Sequence, residues 1–222
     1  MDQARYATYI VEKYLDIATV KVSTKFYKTI LPADIIFAKE DVSTSDEQVE
    51  NFTREFNIHY RPCIGSLIYL LSTRVDLSFA VHKLEKSSAN PGKVHSEGLI
   101  HLLRYIRYNN TLGLKYYTDM NDAPVTDLLR QASIKTENHL MDFSDSSWKY
   151  CPDTGRSTGV YIISYQGGTI DHGPHVPGTV AQSSEEIEYN AAYTAGMALA
   201  NFRMLVHNCE TRIHKWFQRK LL

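Results

Sequence analysis

Residues 139–189 constrain the fold more than any other stretch of the chain. An extended run at 139–148 ends in Phe143-Ser144-Asp145-Ser146-Ser147-Trp148, and Cys151-Pro152-Asp153-Thr154-Gly155 then signals a turn. A second β-rich run follows, Val160-Tyr161-Ile162-Ile163-Ser164-Tyr165, and Gln166-Gly167-Gly168 turns the chain again. Ser183-Ser184-Glu185-Glu186-Ile187-Glu188-Tyr189 reads as the first turn of a long helix. Strands and a helix this close in sequence are expected to pack as a sheet with the helix on one face.

Two carboxylates stand out by position. Asp145 ends a β-rich run, and Glu188 lies one turn into the helix. A strand end and a helix facing the sheet can bring such groups together. Their mutual repulsion favours a divalent cation between them, and hard oxygen ligands of this kind suit Mg²⁺, which completes its shell with substrate phosphates. The matching chemistry is in-line displacement at phosphorus with two ions roughly 3.5–4 Å apart. Each residue also has a plainer use, Asp145 as a turn former and Glu188 as a partner of the helix dipole. Spacing alone does not choose between these uses.

The words themselves add a resemblance. Phe143-Ser144-Asp145-Ser146-Ser147-Trp148, Arg156-Ser157-Thr158-Gly159-Val160-Tyr161 and residues 180–189 resemble, in order and approximate spacing, three motifs of the ribonuclease H domain of copia-type (Ty1/copia) retrotransposon Pol polyproteins. The resemblance implies that Asp145 and Glu188 are the metal-ligating, catalytic carboxylates. Glu185 and Glu186 lie close by, Glu185 on a similar helix face to Glu188.

Length and composition fit this expectation. With 222 residues, 43% hydrophobic and 22% charged, the chain is long enough for one large soluble domain or two small ones. Its net charge of −1 leaves any nucleic-acid footprint to local clusters. Cys63, Cys151 and Cys209 are odd in number and lack C-x-x-C spacing, which argues against a disulfide framework or zinc site and for an intracellular, reducing compartment, cytoplasmic or nuclear. No apolar run approaches the ~20 residues of a membrane span, and residues 1–6 lack the plan of a signal peptide.

The first half reads as helical. Tyr6, Ile10 and Tyr14 form the stripe of a helix over 2–16, residues 17–45 lose the period, and Asp46 is placed to cap a helix carrying Val49, Phe52 and Phe56. Ile64, Leu67, Ile68 and Leu71 mark the next helix. Asp76 is expected to cap another, and Pro91 to sit at the first position of a helix over 91–109. Residues 112–117 read as a short strand. Tyr60-Arg61-Pro62-Cys63-Ile64-Gly65-Ser66-Leu67 and Thr73-Arg74-Val75-Asp76 resemble the copia region between the reverse-transcriptase palm and ribonuclease H, with Val75 where that family usually has Pro.

The departures from the family pattern concern chemistry. No Tyr-x-Asp-Asp tetrad occurs, Tyr117-Thr118-Asp119-Met120 having one Asp where two are needed, so no polymerase site is expected. The sequence has no Asp after Asp171, and the resemblance implies two further acidic ligands. His175-Val176-Pro177-Gly178 stands where many members carry a basic run. Arg104 and Arg107 share a helix face, and with Arg156 they are candidate nucleic-acid contacts or simply solvated charges. Arg212, Lys215, Arg219 and Lys220 gather in a tail that resembles a basic amphipathic helix.

The expectation is therefore an α+β or α/β chain. A helical segment over 1–117 resembles the reverse-transcriptase thumb or connection, and a linker follows at 118–138. Residues 139–208 form the N-terminal half of a ribonuclease H-like mixed sheet with one long helix, and 209–222 a divergent tail. By resemblance the partners are Mg²⁺, an RNA–DNA hybrid or other nucleic acid, and the rest of a polyprotein, with no membrane. The parent activity is two-metal hydrolysis of RNA in RNA–DNA hybrids, here expected to be inactive with two ligands missing. The alternatives are a catalytically silent remnant that binds nucleic acid or protein, and a relic that folds poorly.

Overall fold

A computed structural model describes residues 2–18, 27–32, 35, 37–118, 120–124, 140–148, 154–178 and 180–220, with residues 120 and 210–220 described as backbone only. The chain divides into two compact units, Met1–Leu114 and Lys115–Leu222.

Unit 1 holds five helices among the described residues: α1 (Ala4–Tyr14), α2 (Asp46–Phe56), α3 (Tyr60–Leu70), α4 (Ser78–Glu85) and α5 (Lys93–Tyr108). The expected stripes make its core, except that Ile68 is 42% exposed, because α3 turns Tyr60, Cys63, Leu67 and Leu70 inward and Ile68 lies at the edge of that face. Ala7, Ile10, Val11 and Tyr14 of α1 join Cys63, Ile64, Leu67 and Leu70 of α3 and Leu99, Leu102, Leu103 and Ile106 of α5 in one buried cluster. Each fully buried Leu or Ile stabilises it by roughly 1.5–3 kcal/mol relative to exposure.

Four helix starts differ from expectation by a residue or two, α1 beginning at Ala4 instead of residue 2. Ser45, not Asp46, caps α2, its Oγ accepting from the Gln48 amide at 3.3 Å, while Asp46 begins the helix. α5 begins at Lys93 behind Gly92, because the Gly92 amide donates to Nδ1 of His95 one turn inside. Pro91 therefore precedes the helix. Asp76 lies in a 3-10 turn, Val75–Leu77, and caps nothing, because its carboxylate is taken by the Arg74 guanidinium.

Unit 2 carries β1 (Leu140–Ser147), β2 (Thr158–Tyr165), β3 (Gly168–His175) and α6 (Ser184–Lys220). The sheet order is β1-β2-β3, antiparallel at both junctions. A mixed sheet is expected from sequence, but the short returns between consecutive strands permit only antiparallel neighbours among the described residues. Gln166 (φ 52°) and Gly167 (φ 72°) form the two-residue β2–β3 turn, whose positive φ at both positions matches the twist of the flanking strands. α6 packs on β1 and β2.

Residues 112–117 form no strand. Gly113 makes one isolated bridge with Asp2 inside unit 1. In unit 2 the Tyr117 amide donates to the Gln166 carbonyl at 2.9 Å, and the Tyr116 hydroxyl to the Thr169 carbonyl at 2.8 Å. The segment braces the hairpin with its rings instead of extending the sheet. The linker expected at 118–138 falls mostly outside the described residues, as do His139 and the turn at 151–153. The tail expected from 209 continues the α6 backbone to Lys220. No helix among the described residues is long and apolar enough to cross a membrane.

Candidate functional site

The site is built where α6 crosses β1 and β2. Ile187, Ala191 and Ala195, spaced by four, are all buried. Gly159 on β2 makes the close approach possible, since a Cβ built on it would stand 3.1 Å from Ala191 Cβ and 3.7 Å from the Asp145 carbonyl oxygen. The strand position of Asp145 and the turn of α6 just after Glu188 therefore meet at one junction. The Trp148 indole, donating to the Ala181 carbonyl at 3.1 Å, ties the end of β1 to the approach to α6.

The start of α6 sorts its three glutamates. Ser183 Oγ accepts from the Glu186 amide at 3.2 Å, and Glu186 accepts from the Gln182 amide at 2.7 Å, a variant of the capping box. Hydrogen bonds from its own backbone amide and from Ser183 hold the Glu185 carboxyl below the usual range. Glu188 takes no part in this cap and is exposed.

Register decides which way Asp145 faces. β1 and β2 pair without a bulge, Ser146 opposite Gly159 and Asp145 opposite Val160. Gly159 faces α6, so its cross-strand partner Ser146 does too, and the pleat turns Asp145 to the other side of the sheet. Phe143 and Ile162, which alternation places on that same side, are both exposed. Oδ1 of Asp145 accepts from the Ser146 amide at 2.8 Å. The structure thus brings the backbone of Asp145 to the turn of α6 that follows Glu188, while the pleat turns the Asp145 carboxylate to the side of the sheet away from α6. No group of three or more His, Cys, Asp or Glu side chains suited to a metal occurs among the described residues. The two carboxylates are right in kind for Mg²⁺, but the direction of Asp145 does not fit an ion shared with a side chain of α6.

The candidate nucleic-acid contacts are not brought together either. In unit 1, Arg104 donates to the Tyr27 hydroxyl at 2.9 Å with its guanidinium 5.5 Å from that ring's centre, and Arg107 pairs with Asp16. In unit 2, Arg156 is exposed ahead of β2, its amide donating to Thr154 Oγ1 at 3.3 Å.

Two polar groups in unit 1 escape sequence reasoning. Arg74 is 1% exposed; Nε and Nη2 grip Asp76 at 2.9 and 2.8 Å, and Nη1 donates to the Asn109 carbonyl at 2.8 Å. It locks the turn before α4 to the end of α5. The Arg-x-Asp spacing is the signal that could have found it. His95 is fully buried with its ring stacked on Phe37, and burial holds its pKa below the ordinary imidazole value against a smaller opposing pull from Asp41.

No protein-family model matches the sequence, and no solved structure matches it significantly. The chain is 31% identical over 136 residues to Secreted RxLR effector protein 161 of Plasmopara viticola, which covers 61% of this chain and 84% of that protein. It is 27% identical over 189 residues to the Retrovirus-related Pol polyprotein from transposon TNT 1-94 of Nicotiana tabacum, covering 83% of this chain. It is 29% identical over 132 residues to the polyprotein of the same kind from transposon RE1 of Arabidopsis thaliana, covering 60% of this chain. It spans 13% and 8% of the length of those two polyproteins.

Proposed function

Because the chain belongs to the retrovirus-related Pol polyprotein family of copia-type transposons, we propose that it carries that polyprotein's helical connection followed by the first half of a ribonuclease H-like fold, and that it is silent as a nuclease. On this reading, hydrolysis of RNA in an RNA–DNA hybrid would be an activity of the whole parent polyprotein, supported by the resemblance of residues 143–148, 156–161 and 180–189 to ribonuclease H motifs. Two-metal displacement at phosphorus needs carboxylates that converge on shared ions. The observation that carries the proposal is the β1–β2 register, which pairs Asp145 with Val160 while its neighbour's partner, Gly159, receives α6.

The test is an RNA–DNA hybrid cleavage assay on the full chain with Mg²⁺ or Mn²⁺. Silence predicts no turnover above the metal-only control. Turnover abolished by Asp145→Asn overturns the proposal. Nucleic-acid binding is proposed to be weak for a related reason. Arg104 and Arg107 already hold partners inside unit 1, so a gel shift should show only low affinity, lost as salt rises.

A further inference from the structure

α6 bears a second apolar stripe, on the side away from the sheet. Tyr189, Tyr193 and Met197 recur every four residues at 78%, 69% and 53% exposure, and Met204 continues the line at 66%. At 3.6 residues per turn these four and Ala200 fall within about 80° of the helix surface and run about 22 Å along its axis. A strip of large exposed apolar side chains rimmed by polar groups, here Asn190 and Asn201 on one flank, marks an interaction face.

Charge selects the occupant. Glu185 stands just before the N-terminal end of the stripe and Arg203 close to its C-terminal end. Both are exposed, and helical geometry places them on the same flank, about 80° from the stripe's centre. A two-fold axis crossing α6 at right angles near residues 194 and 195 lays the stripe on its own copy, antiparallel. Tyr193 of one copy then lies against Met197 of the other, a favourable sulfur–aromatic pairing, and Glu185 faces Arg203. Every contact occurs twice, as in any isologous interface. A parallel two-fold pairing would instead put the two Glu185 side chains on opposite flanks at one level and the two Arg203 side chains likewise at another, so neither would face its opposite charge. Gly196, with open space where a Cβ would stand, lies beside the axis and allows close approach.

We infer that the outer face of α6 pairs antiparallel with the same face of a second copy of this chain. Analytical ultracentrifugation of the full chain over a concentration series, at moderate and high salt, tests it. The expected result is a reversible monomer–dimer equilibrium that weakens with salt. Tyr193→Glu and Met197→Glu should each weaken it by about tenfold or more with helical circular dichroism retained. Glu185→Arg and Arg203→Glu should each weaken it, and the two together should restore it. A chain that stays monomeric throughout overturns the inference. So does a dimer indifferent to all four substitutions, or one whose charge swap fails to restore pairing.

Discussion

Gly159 and Ala191 meet where β2 passes beneath α6, with only 3.1 Å between Ala191 Cβ and the place a Cβ at residue 159 would occupy. Any added methyl group must push helix and sheet apart. Ala191→Leu should therefore destabilise unit 2 by about 1–3 kcal/mol, the usual penalty for overpacking. Urea unfolding followed by tryptophan fluorescence reads this directly, since Trp148 and Trp216 both belong to unit 2. An unchanged midpoint would mean that α6 is not seated on Gly159.

Arg74 should be the most sensitive polar position of unit 1. Arg74→Met leaves the Asp76 carboxylate and the Asn109 carbonyl without their shared donor, a loss of about 2–4 kcal/mol. Arg74→Lys should recover little, because an ammonium cannot reproduce the two-pronged grip. Chemical denaturation followed by far-ultraviolet circular dichroism measures both.

Unit 1 should lose stability in mild acid. Burial holds the pKa values of His95 and His101 below the ordinary 6.5, so between the folded and unfolded values the unfolded chain binds more protons. Their contribution is thus fully present above about pH 6.5 and declines as pH falls through the window beneath it. Unfolding free energies measured from pH 8 to pH 5 should fall toward the acid end, and His95→Gln should flatten the slope. A slope unaltered by that substitution would place the linkage elsewhere.

Cys63 should be chemically inert in the folded chain. Burial pushes its thiol pKa far above the ordinary value, and the residue is 0% exposed. In a Cys151→Ser, Cys209→Ser background, a thiol reagent should label nothing under native conditions and one group in denaturant.

Much of this architecture is legible in the sequence because single residues carry it. The Tyr6, Ile10, Tyr14 stripe gives α1, Ser183 with Glu186 gives the start of α6, and Gln166-Gly167 gives the hairpin turn. Other features depend on partners distant in the chain. Leu112, Leu114 and Tyr116 alternate like a strand, but the Tyr116 hydroxyl and the Tyr117 amide bond to the β2–β3 hairpin instead. Asp76 has the look of a cap until Arg74 takes it. The direction of Asp145 is the least legible of all, because a one-residue slip in strand register moves a side chain to the opposite face.

That direction is also what the account of a silent chain rests on. Mn²⁺ titration followed by electron paramagnetic resonance, on the wild-type chain and on Asp145→Asn and Glu188→Gln, tests it most directly. An Asp145 carboxylate turned away from α6 predicts weak binding that neither substitution alters. A tight Mn²⁺ site abolished by each substitution alone would contradict the account.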